Sequence, residues 1–115
     1  MTYYIDGKQV RKSERTYTHA VLHRGQAVSC SGSYDLAVKE MARRLKQLDG
    51  YIEERKMAIK AIDAGKTYYI IRAKNKHGSY VEKIKIRYTR DEYLAQIAKY
   101  EEEKTHYSIR ALEIK

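Results

Sequence analysis

Residues 31–65, SGSYDLAVKEMARRLKQLDGYIEERKMAIKAIDAG, decide how the rest of the chain must be organised. The stretch contains no proline, opens on a Ser-Gly-Ser helix start and closes on Gly65, a residue suited to the left-handed position that stops a helix. Residues 34–64 therefore predict one helix of about 30 residues, on the order of 45 Å long at 1.5 Å per residue. Its apolar stripe is Met41, Leu45, Leu48, Ile52, Ile59 and Ile62, with steps of three and four broken by one step of seven. Arg55 occupies the position that this longer step leaves out. Gly50 lies inside the helix, where it costs roughly 1 kcal/mol relative to Ala and marks a kink or the close approach of another backbone.

The flanks read as strands. Residues 3–10 form a strand, an Asp6-Gly7 turn and the start of a second strand. Residues 17–28 are a further extended run, β-branched and aromatic, broken at Arg24-Gly25-Gln26 by a turn or bulge with His23 beside it. Beyond the long helix, residues 67–73 and 79–88 are strands joined by Lys74-Asn75-Lys76-His77-Gly78, and Tyr80, Ile84, Ile86 and Tyr88 share one face of the second. Thr89-Arg90-Asp91-Glu92 matches a capping box ahead of a shorter amphipathic helix carrying Tyr93, Leu94, Ile97 and Tyr100. Residues 107–114 close the chain as a last strand. The order ββαββαβ, dominated by hairpins, predicts an α+β fold in which an antiparallel sheet is covered by one long and one shorter helix.

With 115 residues the chain has room for one domain, residues 1–115. Twelve tyrosines stand in for absent Phe and Trp, so the core is thin and a homo-oligomer is expected. The single cysteine, Cys30, cannot form an internal disulfide, and no apolar stretch is long enough for a signal peptide or membrane span, which points to a reducing, soluble compartment. A net charge of +9 concentrates anions at the surface and leaves nucleic acid, nucleotide and acidic protein open as partners. Zinc-ligand spacing, Gly-rich phosphate loops and a His-Glu-x-x-His run are all missing. Cys30 beside serines at a helix start reads as structural, and His19 and His23 on one strand face make a poor metal site. We therefore expect neither catalysis, metal nor cofactor.

Four residues break the local pattern. Arg55 puts a guanidinium on the apolar seam; it either pairs with a carboxylate such as Glu82 or Asp91, reaches out to water, or waits for a ligand phosphate or carboxylate. Arg110 alternates onto the strand face of Leu112 and Ile114, and with Arg55 it would clamp a diphosphate if the two converge. Tyr80 starts a strand at the rim of the sheet, suited to edge packing or to stacking on a base. Asp91 serves the first turn of the second helix, or accepts from ribose hydroxyls or an adenine amine.

The element order, the size and these residues together resemble the phage Thoeris anti-defence sponge proteins of the first family, which sequester a cyclic ADP-ribose isomer made by a bacterial TIR enzyme without cutting it. The resemblance implies a ligand pocket using His23, Arg55, Tyr80, Thr89, Asp91 and Arg110. It also implies a possible second site for cyclic oligonucleotides near Arg24, Gly25 and Thr89, a dimer or a hexamer built from dimers, and the cytoplasm of the bacterial host. Nucleic acid is the less favoured partner, although Lys83, Lys85 and Arg87 with Lys39, Arg43 and Lys46 offer a positive face to it. An inhibitor that docks onto an acidic protein is a further alternative.

Overall fold

Ser33 starts the long helix as the sequence predicts: its hydroxyl accepts the Leu36 N–H at 3.2 Å and its carbonyl the Ala37 N–H at 3.1 Å. The computed structural model describes residues 1–115. In chain order the elements are β1 (Thr2–Ile5), β2 (Lys8–Lys12), β3 (His19–His23), β4 (Gln26–Ser31), α1 (Tyr34–Asp63), β5 (Tyr68–Asn75), β6 (Gly78–Lys85), α2 (Arg90–Lys104), β7 (Tyr107–Ala111) and β8 (Glu113–Ile114). The fold is α+β, and every strand pair is antiparallel. Four strands precede α1 where the expected order counted two: the Asp6-Gly7 hairpin forms as read, and residues 17–28 split into two strands at the expected break, Arg24-Gly25. The strands form three small sheets, β2-β1-β8, β4-β3-β7 and β5-β6, in place of one. No helix is long and apolar enough to cross a membrane.

The C-terminus of α1 is closed by Gly65 at φ +73°, with the Lys66 N–H on the Ala61 carbonyl and the Gly65 N–H on the Ile62 carbonyl, both at 2.9 Å. These are the paired bonds of a Schellman closure. Ile52 is fully buried on the predicted stripe, Met41, Leu45, Leu48, Arg55, Ile59 and Ile62 are half-buried, and Ala58 and Ala61 complete the inner face. No backbone approaches Gly50: a Cβ there would meet nothing within 4 Å. The close approach that the sequence suggested is absent, and α1 runs through the glycine.

Two compact units make up the chain, and α1 contributes to both. The first comprises Met1–Gln47 and Glu103–Lys115. Asp6 and Gly7 both take positive φ, 50° and 78°, the pair of values that a two-residue hairpin turn between β1 and β2 demands. Arg24 and Gly25 repeat the geometry at 53° and 80° between β3 and β4. The core gathers Ile5, Ala20 and Leu22, with Val10, Ala27, Cys30 and Leu112 packed against them, so Cys30 acts as a small core hydrophobe. Tyr3 is fully buried as well, its ring against Tyr17, and its hydroxyl donates to the Arg15 carbonyl at 2.6 Å while accepting the Tyr17 N–H at 3.0 Å. The predicted final strand is broken at Leu112, where the chain leaves the sheet of β3 and joins that of β1. That break ends the alternation expected to place Arg110 with Leu112 and Ile114, and the Arg110 side chain is half-exposed.

The second unit is Leu48–Glu102. Its hairpin is longer than predicted at the turn and shorter at the end. β5 and β6 pair from Tyr68↔Lys85 to Asn75↔Gly78 around a two-residue turn, where Asn75 Oδ1 accepts the His77 N–H at 2.8 Å. Residues 86–88 lie outside the strand. The capping box forms: the Glu92 N–H donates to Thr89 Oγ1 at 3.2 Å, and the Thr89 N–H donates to Glu92 Oε1 at 3.3 Å. Arg90 then reaches Asp63 with two bonds of 2.9 and 3.4 Å, tying the start of α2 to the end of α1.

Candidate functional site

Arg55 projects from the seam of α1 and finds only neutral partners. Its Nε donates to Gln96 Oε1 on α2 at 2.7 Å, and Nη1 donates to the Tyr51 carbonyl one turn back at 3.0 Å. The guanidinium carbon lies 4.8 Å from the centroid of the Tyr100 ring and 6.0 Å from that of Tyr51, and the two rings are themselves 5.4 Å apart. Neither Glu82 nor Asp91 is its counter-ion. A guanidinium held half out of water by an amide, a carbonyl and two rings keeps most of its attraction for an anion.

Beside it opens a cavity of about 390 Å³, within the range of small-molecule sites. α1 supplies Tyr51, Glu54 and Arg55; the ribbon supplies Tyr69, Ile84 and Lys85; the segment ahead of α2 supplies Arg87 and Tyr88; α2 supplies Tyr93 and Gln96. Three cations thus face one carboxylate, and that carboxylate is occupied: Tyr69 donates its hydroxyl to Glu54 Oε1 at 2.8 Å. Burial first, then the bond to Glu54, pushes the Tyr69 phenol well above its usual range, so it stays a protonated donor. Tyr93 fixes the adjoining segment by accepting the Arg87 N–H at 3.2 Å. Its ring meets Tyr88 edge-on, with centroids 5.4 Å apart and planes at 89°, and Tyr88 remains 48% exposed. The arrangement offers donors for an anion at one end and open ring surface for an apolar plane at the other.

No family model, curated protein or solved structure matches the chain.

Of the residues that the resemblance nominated for the ligand pocket, Arg55 alone lines this cavity, and Lys85 and Arg87, read from the sequence as part of a positive face for nucleic acid, line it too. Tyr80 belongs to the same unit but pairs with Ala73 four residues along β6 from Ile84, about 13 Å at the rise of a strand. Thr89 is consumed as the cap of α2, and Asp91 is exposed in its first turn. The others belong to the first unit, where carboxylates already hold them. His23 Nε2 donates to Glu103 Oε2 at 2.5 Å, Arg24 Nη2 donates to Glu103 Oε1 at 2.6 Å, and Arg110 Nη2 donates to Asp6 Oδ1 at 2.8 Å. Gly25 completes the turn at Arg24. No group of three or more His, Cys, Asp or Glu side chains is placed to share a metal ion.

Sequence reasoning missed Tyr51, Tyr69 and Gln96, and assigned Tyr88, Tyr93 and Tyr100 to packing. Tyr51 carried a usable signal, since it precedes Arg55 by one helical turn, the spacing at which a ring and a guanidinium meet. Gln96 carried none, because its role depends on how α2 lies against α1 within the second unit.

Proposed function

We propose that this protein is a phage anti-defence sponge: it binds a small anionic nucleotide signal, a cyclic ADP-ribose isomer, and holds it unchanged in the bacterial host cytoplasm. The observation that carries the reading is the Arg55 guanidinium, partnered only by neutral groups, on the wall of a cavity with four tyrosines. Arg55, with Lys85 and Arg87 beside it, receives the pyrophosphate, and the open face of Tyr88 receives the adenine ring. Sequestration is supported over turnover because the one carboxylate on the wall is bound to Tyr69 and the Tyr69 phenol stays protonated, leaving no evident general base. We further propose that the protein works as a homo-oligomer, since Tyr34 and Leu36, side by side at the start of α1, are each more than half exposed.

Calorimetric titration with cyclic ADP-ribose isomers tests the proposal. Stoichiometric binding is expected, with intact ligand recovered by chromatography after heat denaturation. Recovery of a hydrolysed product would mark the protein as an enzyme, and absence of binding by every isomer would remove the sponge reading.

A further inference from the structure

The β5–β6 ribbon carries a charge pattern of which the cavity uses only Lys85, at its end. In an antiparallel pair, directly opposed residues share a face. Four consecutive rows on one face are Tyr68↔Lys85, Ile70↔Lys83, Val81↔Arg72 and Ser79↔Lys74, so each row holds one cation opposite one uncharged residue. The only acidic residue of the ribbon, Glu82, pairs with Ile71 on the other face, the one that carries Tyr69 and Ile84 to the cavity. Lys83 lies over the Tyr68 ring, its Nζ 3.9 Å from the centroid, and none of the four cations is in an ion pair. Between them Ile70 is 49% and Val81 63% exposed.

We propose that this face docks into the major groove of double-stranded DNA, as a function separate from the cavity. Rows repeat about every 7 Å, so the four span about 20 Å, the length of roughly six base pairs. A two-stranded ribbon is the width that the roughly 12 Å major groove admits. The cations reach the phosphates on either side, and Ile70 and Val81 meet the groove floor, where thymine methyls accept apolar contact. A second copy of this chain is a poor occupant, because stacking the face on itself opposes cation to cation. A-form RNA is a poor one too, since its major groove is too narrow and deep.

Fluorescence anisotropy with a DNA duplex of about 20 base pairs and the matching RNA duplex tests this. Four phosphate contacts give a salt slope of about −3.6, so DNA affinity is expected to fall on the order of 100-fold between 50 and 200 mM salt. The R72A/K74A/K83A variant is expected to lose about three quarters of that slope, the R72K/K74R/K83R variant to keep it, and K39A/K46A, changed on α1, to keep it as well. Circular dichroism confirms that each variant is folded. No DNA binding at 50 mM salt, an unchanged slope in the alanine variant, equal affinity for the RNA duplex, or preference for an acidic polypeptide over DNA would each overturn the proposal. None of these outcomes bears on nucleotide capture at Arg55, which calorimetry reads separately.

Discussion

The Arg55 guanidinium sits 4.8 Å from the centre of the Tyr100 ring, with a neutral amide and a backbone carbonyl as its only hydrogen-bond acceptors. This relationship separates Arg55 from the other arginines nominated in the sequence. Arg24 and Arg110 each have a carboxylate within 2.8 Å, so an incoming anion would have to displace it. Arg55 asks for no such exchange. Its position is poor for stability and good for binding, the combination expected where a fold carries a site.

Replacing Arg55 with Met keeps the seam filled and removes a half-desolvated charge. The urea midpoint of Arg55→Met is expected to stay level or to rise by about 1 kcal/mol equivalent, while nucleotide affinity falls at least about tenfold. If the midpoint dropped by several kcal/mol with affinity intact, Arg55 would be a structural residue.

Tyr88 has an open face, and removing it leaves the fold little changed. Tyr88→Ala is expected to lose the stacking of one base, about 1–3 kcal/mol, and Tyr88→Phe to bind as the parent does. Tyr80→Ala is the informative comparison, because the family resemblance puts the platform there and the proposed binding mode puts it at Tyr88. Calorimetry on the three variants decides between the two tyrosines.

What was legible in the sequence was local. The α1 stripe, Ser33, Gly65, the Asp6-Gly7 turn and the Thr89-Glu92 box depend on residues within a few positions of one another, and each forms as read. Arg55 was legible for the same reason, as a charge on a periodic apolar seam. Arg110 was not, since the alternation that condemned it assumes one continuous strand, and the chain changes sheets at Leu112. The rings around Arg55 were hidden because in a chain of twelve tyrosines a core ring and a binding ring have the same spacing.

Thr89 distinguishes a cap from a ligand contact. Thr89→Ala removes one of the two reciprocal bonds at the start of α2 and is expected to cost about 1 kcal/mol, with Thr89→Ser restoring it. Nucleotide affinity should not move in either variant, because Thr89 does not line the cavity. A selective loss of affinity in Thr89→Ala at unchanged stability would return Thr89 to the site.

Gly50 and Gly65 are expected to respond with opposite signs to the same change. Gly50 is helical with open space around it, so Gly50→Ala should stabilise the chain by about 0.5–1 kcal/mol. Gly65 holds φ +73°, where a Cβ costs roughly 1–2 kcal/mol, so Gly65→Ala should destabilise. Denaturant titration of the pair isolates conformation from packing, because neither added methyl meets another atom within 4 Å.

Acid should weaken the first unit through two carboxylates. The bond from Arg43 holds Glu40 down at about 2, opposed by burial and reinforced by Arg44. Arg24 and then His23 hold Glu103 at about 2. Both values lie below the ordinary 4.5, so the unfolded chain binds protons that the folded one refuses. Each group therefore contributes its stability in full above pH 4.5 and loses it as the pH falls from there toward 2. Urea midpoints measured across that window should fall for the parent and fall less steeply for Glu40→Gln and for Glu103→Gln. The two carboxylates share no partner, so the flattening should add in the double variant. Parallel curves for parent and variants would show that neither ion pair couples to folding.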